Sequence, residues 1–171
     1  MLFLLAIATP CLADHALRVP LAGHGSLVLQ VPDGWSERVE RPRADLPPTI
    51  TLAPAGGTAF QILVTPIWPM NGASAAPTPQ QVRAFVLASL AQAKDQAVEK
   101  DIAVLDLSGP KLYGNYFSAT DKAPKPGEYA NMTQGMLAMG DLTVTFTILS
   151  NGERSVVANP ALRMLKSLQR D

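Results

Sequence analysis

Residues 140–148 read Gly-Asp-Leu-Thr-Val-Thr-Phe-Thr-Ile, and this stretch decides the fold class. Strict alternation of apolar and polar residues is typical of a β-strand with one buried face. The sequence therefore predicts that threonines 143, 145 and 147 face away from the core and that the other face supplies Leu142, Val144, Phe146 and Ile148. Gly140-Asp141 fits a two-residue type II′ turn, which predicts an antiparallel hairpin with the preceding strand.

Six further runs, all N-terminal to this stretch, predict the rest of a sheet. They are Ser26–Val31, Thr49–Leu52, Phe60–Val64, Ile102–Leu107, Leu112–Ala119 and Glu128–Met139. Pro54 to Gly57 lies between the second and third of these runs and predicts a hairpin turn. Pro66, Pro69 and Pro77 are expected to exclude regular structure between the third run and the next element.

Two helices are predicted. Thr78 as cap, Pro79 at the first helical position and Gln81 three residues after the cap form a capping-box signature. The apolar positions at helical spacing that follow are Val82, Phe85, Val86, Leu90, Ala93 and Ala97. A second apolar stripe comprises Val156, Val157, Ala161, Met164, Leu165 and Leu168. Either Asn159 caps a short helix that starts at Pro160, or a longer helix begins near Ser155; continuity of the stripe favours the longer helix.

This order of elements predicts an α+β fold, with an antiparallel sheet of about six to seven strands flanked by helices. The first predicted strand ends in Val31-Pro32-Asp33-Gly34-Trp35. This turn and the element order resemble the PsbP-like superfamily, over residues 17–169. Its members include an extrinsic photosystem subunit, a Ran-binding nuclear transport factor and small exported bacterial proteins of unassigned function. The resemblance implies an accessory or binding role, but the family's ligand-binding positions find no matching motif here.

The N-terminal residues 1–13, MLFLLAIATPCLA, are typical of a secretory signal peptide cleaved after Ala13. We therefore expect a single domain at 14–171 that is periplasmic or secreted. A buried N-terminal strand is one alternative. Lipidation at Cys11 is another, and Pro10 at the cleavage position argues against it.

Composition excludes several classes of function. Fourteen acidic and fourteen basic residues balance, so no basic field is available for nucleic acid. No second apolar stretch has the length of a membrane span. The single cysteine is in the leader and there are only two histidines, so we predict no metal site and no cofactor. Motifs for nucleophilic catalysis and nucleotide binding are missing, which favours a protein that is not an enzyme.

One segment has the composition of a recognition surface. Residues 118–129 read SATDKAPKPGEY, and the three tyrosines of the chain lie in or just before this segment. The candidate residues are Tyr113, Tyr116, Asp121, Lys122, Lys125, Tyr129 and, separately, Trp68 between two prolines. Tyrosines beside cations are common in interfaces. Two alternatives do not require a recognition surface. Segment 118–129 could be a solvated hairpin loop, and Trp68 could anchor its own loop to the core.

The favoured function is therefore an exported, non-catalytic accessory or binding protein that meets a protein partner in the cell envelope through this loop. A small-molecule or lipid carrier, with an apolar pocket between sheet and helix, is the first alternative. A hydrolase with a carboxylate-based site is the second, because carboxylate pairs cannot be recognised from sequence alone.

Overall fold

The computed structural model describes residues 14–68 and 76–171. The predicted leader, its cleavage site, Cys11 and Pro69 lie outside the described residues. The strands are β1 His15–Leu21, β2 Gly25–Val31, β3 Trp35–Glu40, β4 Thr49–Pro54, β5 Phe60–Ile67, β6 Leu105–Gly109, β7 Leu112–Thr120, β8 Asn131–Met139, β9 Leu142–Ser150 and β10 Gln169–Arg170. The helices are α1 Pro79–Ala93 and α2 Arg154–Lys166, and a 3₁₀ turn, Lys94–Gln96, follows α1.

The strands form two antiparallel sheets. Seven strands are arranged in the order β3-β4-β5-β9-β8-β7-β6, and three form a smaller sheet in the order β1-β2-β10. The predicted α+β class and antiparallel pairing are confirmed. The sequence predicted one sheet of six to seven strands, whereas β1, β2 and β10 form a separate sheet.

Strand β9 has the predicted register. Its apolar side chains are buried, and Thr143, Thr145 and Thr147 are half-buried on the other face. Gly140 has a φ of 62° and the flanking residues Met139 and Leu142 pair, as the predicted hairpin requires. This strand lies at the centre of the large sheet, between β5 and β8.

The main core lies on one face of the large sheet. Helix α2 and the small sheet cover that face. The side chains that α2 and the small sheet bury completely in this core are Leu27, Leu29, Val31, Ala161 and Leu165. A smaller cluster lies on the opposite face, where α1 packs on β7 and β8 with Val86, Leu90, Phe117 and Ala119.

Helix α1 begins as predicted. The Gln81 N–H donates to Thr78 Oγ1 over 3.2 Å, and the Thr78 N–H donates to Gln81 Oε1 over 2.7 Å. Its predicted apolar stripe was too wide, because Phe85 is 44% exposed. Within α1 only Val82, Val86 and Leu90 are buried, and Phe85 lies about 100° around the helix from the centre of that narrow stripe. Ala97, the last position of the predicted stripe, is buried but lies beyond the end of α1.

Several other boundaries differ from the prediction. Strands β1, β3 and β10 were not predicted. Strand β3 is mostly exposed on both faces, and β10 has only two residues. In β1, Val19 and Leu21 are buried at alternate positions, but Pro20 lies between them. Residues 102–104 precede β6, and residues 128–130 precede β8. Pro66 was expected outside regular structure but lies in β5, paired with Val144. Helix α2 starts at Arg154 and includes Pro160, as the longer of the two alternatives predicted.

Candidate functional site

A cleft of about 590 Å³ opens beside the predicted recognition segment. It lies between the C-terminal end of α1, the starts of β5 and β8, and the 121–130 loop, which joins β7 to β8. The lining is mainly apolar and comprises Ala93, Ala97, Ala119, Met132, Leu149 and Tyr129. Polar atoms at the same cleft come from Gln61, Gln96, Thr120, Asp121 and Glu128.

The 121–130 loop is fixed to its surroundings by backbone hydrogen bonds. The Asp121 N–H donates to Ala130 O over 2.8 Å and closes the base of the loop. The Lys122 N–H donates to Gln96 O over 2.9 Å, which ties the loop to the turn after α1. Asn151 Oδ1 accepts from the Ala130 N–H over 3.0 Å. The loop therefore has a defined position on the cleft.

Both acidic residues of this loop also hold its shape. Asp121 Oδ1 accepts from the Ala123 N–H, and Glu128 Oε2 accepts from the Lys125 N–H, each over 2.9 Å. The Glu128 N–H donates back to Lys125 O over 2.9 Å. Both carboxylates therefore belong to the hydrogen-bonded frame of the loop beside the cleft.

The two candidate lysines do not line the cleft. Lys122 Nζ donates to Asp95 O over 3.1 Å, which joins the loop to the 3₁₀ turn. Lys125 is exposed, and its ammonium forms no hydrogen bond or ion pair with the residues the structure describes. Of the two cations, Lys125 is therefore the one available to a partner.

The structure separates the three tyrosines. Tyr113 and Tyr116 lie on opposite faces of β7; the Tyr113 hydroxyl donates to Pro77 O, and the Tyr116 ring packs against the main core. Tyr129 alone lines the cleft. Since seven strand residues span about 20 Å, Tyr113 is far along β7 from the loop. The three side chains do not form one recognition surface.

Trp68 is a core residue. Its side chain is only 6% exposed, and its ring lies 4.9 Å from the ring of His24, tilted by 31°. Arg170 pairs with Asp141 beside this stack and its Nε donates to His24 O over 2.8 Å. The Arg170 hydrogen bond lowers the pKa of Asp141. Trp68 is therefore an anchor, the alternative reading of the sequence.

A partly buried polar network supports the cleft at Thr120. Glu99 accepts from the Thr120 N–H and hydroxyl, each over 2.9 Å, and pairs with Arg154 at 3.4 Å. Burial acts to raise the pKa of Glu99, but the Thr120 hydrogen bonds and the Arg154 charge outweigh it and lower that pKa. The network joins the segment after α1, strand β7 and the first residue of α2.

Two further observations concern metal ligands and membrane-spanning helices. Within residues 14–68 and 76–171, no three His, Asp or Glu side chains are grouped so as to hold a metal ion. No helix in the same ranges is both long and apolar enough to cross a membrane.

Sequence reasoning missed most of the cleft. Gln61, Ala93, Gln96, Met132 and Leu149 come from β5, α1, the 3₁₀ turn, β8 and β9. Apart from Ala93 and Gln96, they are distant in the chain, and they carry no shared motif. Only strand order could have placed them together.

Comparison with known proteins gives little further information. No family model matches the chain, and no curated protein matches it. A crystal structure of a protein from Bacteroides thetaiotaomicron VPI-5482 has a TM-score of 0.49 at 8% identity, covering 85% of this chain and 45% of that one. The chain thus spans less than half the length of that protein. A likeness of this degree does not bear on function.

Proposed function

We propose that this is a non-catalytic binding protein that receives an apolar group of a protein partner in the cleft beside the 121–130 loop. The observation that supports this proposal is the composition of the cleft lining. Its lining is mainly small and apolar, with a smaller number of polar side chains. Apolar concave surfaces with a few placed polar groups are the usual form of binding sites.

The fixed loop supports binding over catalysis. Its hydrogen bonds pre-order the cleft wall before a partner arrives, which reduces the entropy lost on association. Asp121 and Glu128 each accept a backbone N–H through one oxygen, so both side chains contribute to the shape of the loop. Carboxylate oxygens at the cleft favour a partner that brings N–H donors or a cation next to its apolar group.

A small-molecule carrier is a second candidate. The cleft volume, about 590 Å³, lies within the range of about 300–1,000 Å³ typical of ligand pockets. An apolar metabolite or lipid chain would meet the same side chains that a partner's apolar residue would.

We further propose export to the periplasm or outside the cell, and a PsbP-like form of the fold. Export rests on the leader pattern. The PsbP-like assignment rests on the element order and on the turn after β2, where Gly34 has a φ of 76° and the Trp35 N–H donates to Pro32 O over 3.3 Å. Trp35 then packs on Phe60 with ring centroids 4.8 Å apart.

The test is to fill the cleft. Ala93→Phe places a ring at the cleft wall, whereas Ala84→Phe adds the same ring at an exposed position of the same helix. We expect tagged protein with Ala93→Phe to lose its envelope partner in capture experiments, and Ala84→Phe to retain it. Capture that survives Ala93→Phe would exclude the cleft.

Two further measurements separate the candidates. Lys122→Ala with Lys125→Ala should weaken partner capture in a salt-sensitive way if the outer side of the loop also contacts the partner. Mass spectrometry of denatured protein detects a released metabolite or lipid. Its presence in wild type and its absence in Ala93→Phe would favour the carrier instead.

A further inference from the structure

A second cavity, of about 580 Å³, lies at the other end of strands β7, β8 and β9. It is open to solvent and is lined by the turn from β6 to β7, the end of β8, the last turn of α2 and strand β10. Four of its ten lining residues are cations, namely Lys111, Arg163, Lys166 and Arg170. The chain as a whole is neutral, so this concentration of positive charge is local.

Only one of these cations is paired. Arg170 binds Asp141 and the carbonyl of His24. Lys111, Arg163 and Lys166 form no ion pair with any residue of the described ranges. Asp171 is the acidic residue of the lining, and its carboxylate pairs with Arg18. Within the described residues, three of the four cations at this cavity thus have no ion-pair partner, although Arg163 also borders a neighbouring cavity lined by Asp14, Asp33 and Glu153.

The helix dipole accounts for part of this arrangement. Arg163 and Lys166 lie in the last turn of α2, where a cation interacts favourably with the exposed carbonyl groups. Lys111 belongs to a different element, the β6–β7 turn, and the dipole does not explain its position. Like charges at one cavity repel each other, so an anion bound among them would relieve that repulsion.

The rest of the lining indicates the kind of anion. Pro110, Met139 and Leu168 provide an apolar wall beside the cations, and the volume exceeds that of a bare inorganic ion. A guanidinium with two ammonium groups suits an anion with several oxygens and more than one charge, such as a phosphate.

We infer that this basic cavity binds a phosphate monoester that carries an apolar group. The inference is independent of the proposed cleft, because the two sites share no residue. A soluble organic phosphate and the headgroup of an anionic lipid would both present this chemistry.

The experiment titrates the purified exported protein with three probes: phenyl phosphate, inorganic phosphate, and phosphatidylcholine vesicles containing phosphatidic acid. Isothermal titration measures the first two and co-sedimentation the third. Lys111→Gln with Lys166→Gln removes two cations of the cavity. The matched control, Lys94→Gln with Lys100→Gln, removes two exposed lysines elsewhere.

We expect phenyl phosphate to bind more tightly than inorganic phosphate. The cavity variant should weaken it at least tenfold, and the control variant should change it by less than twofold. If only the vesicles bind, and the cavity variant loses that binding while the control variant keeps it, the bound phosphate is that of a lipid headgroup and the inference is supported. No binding of any probe by wild type, or equal losses in both variants, would overturn it. Unchanged melting temperatures show that the variants remain folded.

Discussion

Gly135 and Phe146 face each other across β8 and β9, and their contact leaves no room for a side chain on the glycine. A Cβ at Gly135 would lie 2.5 Å from Phe146 Cζ and 2.7 Å from Tyr116 Cβ, and would also meet the Asn115 carbonyl. The aromatic ring occupies the space that the missing side chain leaves. The glycine at the centre of β8 is therefore required by packing.

We expect Gly135→Ala to lower the free energy of unfolding by about 2–3 kcal/mol, because backbone and core atoms must both move. Gly56→Ala is the matched control, since nothing lies within 4 Å of its added Cβ, and should change stability by less than about 0.5 kcal/mol. Chemical denaturation of both variants measures the difference. Equal effects would show that the ring does not lie over Gly135.

The two faces of β9 give a second prediction. Phe146 is 2% exposed and its truncation to alanine leaves a cavity, so Phe146→Ala should cost about 3–5 kcal/mol. Thr145→Ala removes a half-buried hydroxyl that donates to Thr65 O over 3.4 Å and should cost less than about 1 kcal/mol. Similar losses in urea denaturation would contradict the register of β9.

At the scale of elements, a helix start or a turn was predicted correctly where its whole sequence signal lies within a few neighbouring residues. The capping box of α1 and the Gly140 turn before β9 are contained within a few residues, and both were predicted. Pro66 was misjudged because its effect depends on a neighbouring strand. Strand β4 begins at Thr49, which lies beside Thr65 of β5. Pro66 follows Thr65 and lies beyond the part of β5 that pairs with β4. Its missing N–H therefore removes no hydrogen bond between these two strands.

The Glu99 network predicts a pH dependence. Because the folded protein lowers the pKa of Glu99, this carboxylate adds stability above the usual glutamate pKa, and the contribution is lost as pH falls through the lower, folded value. We expect the free energy of unfolding to fall with pH in this acidic window less steeply in Glu99→Gln than in wild type. Glu40→Gln, at an exposed site of β3, should keep the wild-type slope. An unchanged slope in Glu99→Gln would contradict the network.

At the scale of the whole molecule, the candidate cleft could be predicted only in part. Asp121 and Tyr129 were identified from the composition of one loop, and both line the cleft. The remaining walls depend on how β5, α1 and β9 meet, and such long-range packing has no local sequence signal. The same holds for the basic cavity, whose lysines come from separate elements.

The proposed leader, residues 1–13, gives a prediction about the whole chain. We expect the exported protein to begin at Asp14 without a lipid, because Pro10 disrupts the box before Cys11. Cleavage there would leave β1 intact, since that strand begins at His15. Intact mass of protein recovered from the envelope tests this, and a diacylglyceryl group on Cys11 would contradict it.

The pairing of β10 with β2 has a consequence for the order of folding events. Arg170 donates to His24 O across 146 positions of sequence, and the small sheet is complete only when these distant segments meet. Closing so long a loop is entropically costly, whereas the hairpins β1–β2 and β8–β9 form between neighbours. During synthesis the hairpins would therefore form early, and β10 would pair with β2 last.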